Sequence, residues 1–388
     1  MHDETLLTTL GRAPQSNHGI VNPPVQRAST ILYPSVDALR AARPDRGVYY
    51  GRYGTPTTFA LADAITALEG GAGTFVVNSG KTAIVATLLA LCKAGDHLLV
   101  TDSAYGPTRA FSSGMFGRYG VEADYYDPRV GAGIGDLLRP ETRLVFLESP
   151  GSLTFEVQDV PAIVRAVKSV NPDIAIVIDN TWATALRYKP FDHGVDVVVQ
   201  AATKYVGGHS DLMMGLATAN ERFLKPVRDG LMEVAGAASP DDCWLALRGL
   251  RTMAVRLDRH EASGMEVARW LEDRDEVAEV LHPALPSHPD HALFKRDFKG
   301  ASGLFAFRLK PGNDRQTKAM LDGMDLFGMG YSWGGYESLL IPANPAPLRT
   351  ATAWPDGGQL LRIHVGLEAL DDLTKDLEAG FARWREAA

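Results

Sequence analysis

Cysteine is scarce in this chain. Two of the 388 residues are cysteines, Cys92 and Cys243, and they lie far apart in apolar, helix-like sequence. A disulfide framework is therefore not expected, and the composition fits a reducing, cytoplasmic setting. Long apolar runs are also missing, so no segment is predicted to span a membrane. Residues 1–12 lack the basic and apolar regions of a secretory signal, so we expect a protein that is not secreted.

Clustered positive charge is absent as well. The formal net charge is −8, and the sequence contains no block of like charge and no low-complexity tract. The chain is therefore not expected to bind nucleic acid. Hydrophobic residues make up 45% of the chain and charged residues 22%, as is ordinary for a soluble globular enzyme. A chain of this length exceeds what one core usually supports, so two domains are predicted.

Short apolar segments alternate with helix-like segments from residue 61 to about residue 199. This alternation is typical of an α/β fold with a mostly parallel sheet that helices cover on both faces. Ligands of such sheets bind at the carboxyl ends of the strands. The predicted strands are residues 75–77, 97–100, 123–126, 144–147, 174–178 and 195–199.

The pattern changes near residue 250. Residues 252–273 are predicted to form a long amphipathic helix, and residues 304–309 to form a strand. We therefore expect a large domain over residues 55–250 and a smaller α+β domain over residues 251–388. Residues 1–54 show little periodicity, and we expect this arm to contact a partner subunit.

A lysine and an aspartate follow two of the predicted strands. Lys204 comes shortly after residues 195–199, and Asp179 directly follows residues 174–178. A lysine amine forms a Schiff base with an aldehyde, and a carboxylate pairs with a protonated pyridine nitrogen, so the two residues match pyridoxal phosphate (PLP). Taken singly, such an aspartate is commonly a turn residue and a lone lysine is commonly a solvated charge. Their shared position at strand ends favours the cofactor site.

The segment NSGKT, residues 78–82, follows another predicted strand and leads into an apolar helical run over residues 83–92. Free N–H groups at a helix start, together with the helix dipole, favour a phosphate group there. An ordinary capped helix is the alternative explanation. Because all three segments follow strands, we expect them to converge at one edge of the sheet.

With these segments in place, the chain resembles the Cys/Met-metabolism family of PLP enzymes, and within it the cystathionine β-lyase branch. The resemblance implies the aspartate aminotransferase-like fold, PLP-dependent transferase fold type I, with residues 55–250 as the PLP-binding domain. The lead-in QAAT at residues 200–203 and the segment at residues 331–338 are similar to the β-lyase branch in particular. The segments that carry the resemblance are YGRYGTPT (50–57), LEGGA (68–72), ESPGS (148–152), IDNTWA (178–183), AATKYVGGHSD (201–211), YSWGGYES (331–338) and LRIHVGLE (361–368).

The resemblance implies a role for each matching residue of the cofactor site. Lys204 would hold the cofactor covalently and then move protons, and Asp179 would keep the pyridine nitrogen protonated. Tyr105 would stack on the ring and stand near the leaving group. The phosphate would be bound by the backbone of Gly80 and Lys81 and by the hydroxyl of Thr203.

The resemblance also implies a site shared between subunits. Tyr50 and Arg52 would reach the phosphate from the neighbouring subunit, and Tyr50 would also take part in catalysis and substrate binding, so the homodimer would be the catalytic unit and the homotetramer the expected assembly. Arg362 would bind the substrate carboxylate, a task that suits a planar guanidinium. Ser332 and Trp333 would line the same pocket, although this loop is equally consistent with simple packing.

Two positions depart from the usual pattern of the family. Lys81 stands where a small or apolar residue is usual, and it adds charge to the phosphate turn if its side chain faces that way. Ala201 stands where many synthases and γ-lyases of the family have serine, which favours the β-lyase branch.

The expected reaction is the α,β-elimination of L-cystathionine to homocysteine, pyruvate and ammonia. A cystathionine or methionine γ-lyase, a broader cysteine-S-conjugate β-lyase, and a non-catalytic PLP-fold regulator are the alternatives. No metal is expected: His282, His288 and His291 lie in a proline-rich segment without further ligands at suitable spacing, and we predict a polar surface loop there.

Overall fold

The computed structural model describes residues 1–45, 47–234, 236–355 and 357–388. A seven-stranded sheet forms the centre of the N-terminal part, in the order β1-β7-β6-β5-β4-β2-β3. Strands β2 to β6 pair in parallel, whereas β7 is antiparallel to both β6 and β1. The strands are β1 Gly73–Val77, β2 His97–Thr101, β3 Glu122–Tyr126, β4 Thr142–Glu148, β5 Ala175–Asp179, β6 Val197–Ala201 and β7 Gly215–Ala219.

Helices cover both faces of this sheet because its central strands are apolar along their whole length. All five residues of β5 are buried, as are Val197 to Val199 of β6. On one face these strands pack against α4 and α8, and on the other against α6. The helices of this part are α1 Asp3–Thr9, α2 Val36–Ala41, α3 Pro56–Glu69, α4 Gly80–Leu91, α5 Gly106–Ala110, α6 Val160–Val170, α7 Thr184–Arg187, α8 Leu224–Val234 and α9 Pro240–Leu250.

A second sheet follows in the C-terminal part, antiparallel throughout, in the order β10-β11-β9-β8. Its core contains Phe305, Phe307 and Phe381, all fully buried. The remaining elements are α10 Met253–Glu272, β8 Val277–Leu281, α11 His291–Asp297, β9 Leu304–Leu309, α12 Asp314–Leu321, β10 Leu339–Ala343, β11 Leu360–His364 and α13 Leu370–Glu386. Within the described residues, none of the helices is both long and apolar enough to cross a membrane.

The α/β fold class with a mostly parallel sheet and a smaller α+β part is confirmed. Each predicted strand lies within or next to an observed one, and the predicted helix over residues 252–273 appears as α10. Strand β7 was not predicted, since its sequence GLATA has few of the β-branched residues that mark a strand. The domain bounds at residues 54 and 250 stay a prediction.

The histidine-rich segment differs from the expectation of a polar surface loop. The side chains of His282 and His288 are almost fully buried. The His282 ring packs against Phe305, with ring centroids 5.1 Å apart. Burial lowers the pKa of His282 to about 3, so these rings serve as neutral core groups. Their burial was not predicted from the sequence because histidine is a polar residue type.

The register of the large sheet brings three strand ends to one edge. Val77 of β1 lies opposite Gly215 of β7, and Gly215 lies opposite Ala201 of β6. Two strands along, Glu148 of β4 lies opposite Asp179 of β5. The turn after β1, the carboxylate at the end of β5 and the loop after β6 therefore share this edge.

Candidate active site

Lys204 lies in the loop that follows β6, and its side chain is partly buried. Its backbone N–H donates to the carbonyl of Ala201, the last residue of β6, at 3.0 Å. Its Nζ donates to the Ser332 hydroxyl at 2.5 Å. Burial and the nearby charge of Arg362 lower the pKa of Lys204 to about 8, with Asp179 acting in the opposite direction. A lowered pKa leaves more of the amine in the neutral form that attacks a carbonyl group.

Asp179 ends β5 and has a buried side chain that is held in one orientation. Its Oδ1 accepts hydrogen bonds from the Thr181 N–H at 2.9 Å and from the Thr181 hydroxyl at 2.5 Å. The same hydroxyl oxygen accepts from the N–H of Ala201 at 2.9 Å. Burial raises the pKa of Asp179, and the two Thr181 bonds and Lys204 oppose that rise. Thr181 thus links the carboxylate to the base of the Lys204 loop.

Glu148 brings a second carboxyl group to this edge, a residue to which the sequence assigned no role. Its Oε2 accepts a hydrogen bond from the Tyr105 N–H at 2.7 Å. Burial and the charge of Asp179 raise the pKa of Glu148 well above its ordinary value. The signal was available in the sequence, because Glu148 ends a buried strand in the same way as Asp179.

Tyr105 precedes α5 and faces the same group of charges. Its side chain is 45% exposed. Burial of the remainder, together with Asp179 and Glu148, raises the pKa of Tyr105, and Arg362 opposes the rise. The phenol therefore lies within electrostatic reach of both carboxyl groups and of the arginine.

The start of α4 offers free donors at this edge. The Ser79 hydroxyl caps the helix by accepting from the Thr82 N–H at 3.1 Å. Among the described residues, the N–H groups of Gly80 and Lys81 have no such partner, so they are available to a ligand. A Cβ on Gly80 would lie 2.6 Å from the Cβ of Ala201, so this position requires glycine. The Lys81 side chain is exposed. A phosphate group fits the two free donors and the positive end of the helix dipole.

The hydroxyl of Thr203 is engaged with the backbone of the neighbouring strand segment. It accepts from the Met214 N–H at 3.0 Å and donates to the Met214 carbonyl at 3.3 Å. To bind a phosphate oxygen, the Thr203 hydroxyl would have to turn its hydrogen away from the Met214 carbonyl.

Arg362, Ser332 and Trp333 come together from the C-terminal part. The Nη2 of Arg362 donates to the carbonyl of Ser332 at 3.0 Å and to that of Gly330 at 3.4 Å. The ring centroid of Trp333 lies 5.3 Å from the Nζ of Lys204. Among the described residues, the bonds of Arg362 use Nη2 alone, so its Nε and Nη1 donors remain available for a substrate carboxylate.

Tyr50 and Arg52 have their recorded side-chain bonds outside this cluster. The Tyr50 hydroxyl is 3.4 Å from the Ser29 hydroxyl, and Arg52 donates to the Met232 carbonyl of α8 at 3.3 Å. Arg52 also lines a cavity of about 490 Å³ between the arm, α3 and α8. The contacts within the single chain therefore group Lys204 with Asp179 and the C-terminal residues, whereas the two arm residues bond to Ser29, Tyr53 and Met232.

Comparison with known proteins agrees with this arrangement. The sequence model of the Cys/Met metabolism PLP-dependent enzymes matches residues 4–382. Cystathionine β-lyase MetC of Escherichia coli is 46% identical over 387 residues, which cover 98% of each protein, and the cystathionine β-lyase of Salmonella typhimurium is 44% identical with the same coverage. The crystal structure of a cystathionine γ-synthase from Xanthomonas oryzae superposes with a TM-score of 0.91 at 31% identity, covering 100% of both chains.

The chain belongs to the family of Cys/Met metabolism PLP-dependent enzymes. Its cofactor is pyridoxal phosphate, and its fold is that of the type I PLP enzymes, as the resemblance implied. The donors at the start of α4, the buried carboxylate Asp179 and the Lys204 amine fit the phosphate, the ring nitrogen and the aldehyde of this cofactor.

Proposed function

We propose that this protein is a PLP-dependent carbon–sulfur lyase that converts L-cystathionine to homocysteine, pyruvate and ammonia. One observation carries the chemistry: the Nζ of Lys204 is held by Ser332, and burial together with the nearby charge of Arg362 lowers the pKa of Lys204 to about 8. The choice of cystathionine is supported by the identity of 46% with the Escherichia coli β-lyase over nearly the full length.

Lys204 is the residue that moves protons in this proposal. When bound, PLP takes up the negative charge that remains when the α-proton of the substrate leaves. The amine of Lys204 accepts that proton, and the hydroxyl of Ser332 holds the amine in place. The bond between the β-carbon and sulfur then breaks with departure of the homocysteine thiolate. Hydrolysis of the remaining three-carbon fragment yields pyruvate and ammonia.

The residues at the sheet edge hold the cofactor. Asp179 would pair with the ring nitrogen, and its two Thr181 bonds keep the carboxylate oriented. The N–H groups of Gly80 and Lys81 would bind the phosphate, and the hydroxyl of Thr203 would join them by exchanging its bond to the Met214 carbonyl for one to a phosphate oxygen. Tyr105 would stack on the ring, and the bond from its N–H to Glu148 holds its backbone in place.

Arg362 binds the substrate carboxylate. Its Nη2 is anchored to the Ser332 loop, so the remaining guanidinium donors are oriented before substrate arrives. Trp333 forms the apolar wall beside Lys204. Together they fix the α-carbon next to the Nζ of Lys204, which favours proton transfer over release.

The catalytic unit in this proposal is a homodimer, which assembles into a homotetramer in the cytoplasm. Tyr50 and Arg52 complete the phosphate site of the neighbouring subunit, and Tyr50 also contacts the substrate there. Support comes from the arm, where Leu32 is 89% exposed and Val36 and Ile20 are largely exposed. Apolar side chains grouped on one segment in this way favour burial against a second subunit.

A product assay tests the proposed reaction. We expect cystathionine to give pyruvate and homocysteine in equal amounts, with little 2-oxobutyrate or cysteine. Lys204→Ala is the control and should form neither keto acid. Dominant 2-oxobutyrate would show that elimination occurs at the γ-carbon, and a wild-type protein that is colourless and active would refute the PLP chemistry itself.

A further inference from the structure

His364 is a buried histidine to which the proposed reaction gives no task. It ends β11, two residues after Arg362, so both side chains lie on the same face of the strand. Its side chain is almost fully buried. Polar groups are rarely buried without a partner, because desolvation is costly. The partners of His364 therefore indicate what it does.

Those partners belong to the loop that carries Ser332. The Nε2 of His364 lies 3.1 Å from the Gly334 nitrogen and 3.2 Å from the Gly335 carbonyl oxygen. With the proton on Nδ1, Nε2 accepts from Gly334, and with the proton on Nε2 the ring donates to Gly335. In both neutral forms, the bond is to the same loop.

Gly334 packs directly on the lysine loop. Its φ of +87° lies in the left-handed region, and a Cβ there would be 3.0 Å from the carbonyl carbon of Lys204. A bond to Gly334 therefore fixes the distance between the two loops. Ser332 itself has φ of +82°, a conformation that a non-glycine residue keeps when its surroundings hold it there.

Two residues of strand β11 thus hold the loop by hydrogen bonds at two points. Arg362 bonds to the carbonyl of Ser332, and His364 bonds to the backbone two residues further on. The hydroxyl of Ser332 contacts the Nζ of Lys204.

We propose that His364 is a positioning residue, which holds the Ser332 loop so that the Ser332 hydroxyl keeps the Lys204 amine in place for proton transfer. The inference rests on the proposed role of Lys204 and Ser332. Burial and the neighbouring His260, Arg362 and Lys204 lower the pKa of His364 to about 3. The ring therefore stays neutral at ordinary pH, and its bond to the Ser332 loop is kept.

Substitutions that move the bonding atom test this assignment. In His364→Gln the side-chain amide occupies the place of Nε2 and keeps a bond to the loop, whereas in His364→Asn it occupies the place of Nδ1 and falls short. We expect Asn to lower kcat at least about tenfold with a smaller change in KM, and Gln to restore kcat to within about threefold of wild type.

His260 supplies the matched control. It is equally buried, its ring lies 5.0 Å from that of His364, and its Nδ1 bonds to the Val365 carbonyl rather than to the Ser332 loop. His260→Asn should leave kcat nearly unchanged. A double-mutant cycle with Ser332→Ala should be non-additive, since His364 acts through Ser332.

A second readout separates this inference from the proposed reaction. Titration of the PLP-loaded variants with glycine, followed by absorbance, should show weaker glycine binding in His364→Asn than in wild type or His260→Asn. Equal glycine binding and equal kcat in the Asn variant would overturn the inference, as would equal losses in the His364 and His260 variants. If the wild-type protein makes no pyruvate but His364→Asn still binds glycine more weakly than wild type, the lyase proposal is refuted and the positioning role of His364 stands.

Discussion

Replacing Arg362 by lysine is the most demanding test of the proposed substrate site. Lysine keeps the positive charge but provides neither the planar fork for a carboxylate nor the bonds of Nη2 to Ser332 and Gly330. A hydrogen bond to a charged group contributes about 1.5–3 kcal/mol. At about 1.4 kcal/mol per tenfold change, losing one such bond to the substrate carboxylate should lower kcat/KM for cystathionine by a factor between about 10 and 150.

The assay measures initial rates of pyruvate formation over a range of cystathionine concentrations. The absorbance spectrum of the bound cofactor should be unchanged, because Asp179 and the start of α4 hold PLP without Arg362. Arg308→Lys is the matched control: Arg308 lies on the neighbouring strand β9, is similarly shielded and pairs with Glu279 outside the site. A kcat/KM of Arg362→Lys within about threefold of that control would refute the carboxylate assignment and place substrate binding elsewhere.

Three further outcomes are expected. The rate of PLP uptake by the apoprotein, measured by stopped-flow absorbance, should increase from pH 7 and level off near pH 9, because the pKa of Lys204 is about 8. A rate that still rises steeply above pH 9 would indicate a lysine with an ordinary pKa. Glu148→Ala should lower kcat/KM about tenfold by freeing the Tyr105 backbone, whereas Glu148→Gln keeps an acceptor and should retain activity. Mixed Arg52→Ala and Lys204→Ala subunits should recover about a quarter of wild-type activity, since about half of the dimers carry one complete site; no recovery despite proven subunit exchange would argue against a shared site.

The fold was largely predictable because its strands are continuous apolar runs. Buried parallel strands need such sequences, and residues 174–178 and 195–199 have them. Strand β7 could not be found in this way, since its alanines and glycine satisfy a steric need: a Cβ on Gly215 would lie 2.1 Å from the carbonyl oxygen of Ser79. Close approach between segments distant in sequence leaves little trace in local patterns.

The candidate site was predictable where a residue type has few uses at a strand end. Lys204 and Asp179 meet that condition. The contact between Lys204 and Ser332 joins residues 128 positions apart, so only the folded chain shows it. His364 was missed because a histidine inside an apolar strand looks like an ordinary core residue. Its partners, the Gly334 N–H and the Gly335 carbonyl, are brought to it by the conformation of a loop that is distant in sequence.

The position of β7 between β1 and β6 has a consequence for the order of assembly. Strand β1 pairs with β7 along its whole length, and β7 in turn joins it to the rest of the sheet. The ribosome makes β7 after β6 and after Lys204, although β7 lies between strands that were made earlier. A nascent chain that stops before residue 215 therefore lacks the strand that aligns Val77 with Ala201. The phosphate turn and the lysine loop can reach their mutual positions only after about residue 219 has left the ribosome, so the cofactor site is completed by a late, long-range pairing.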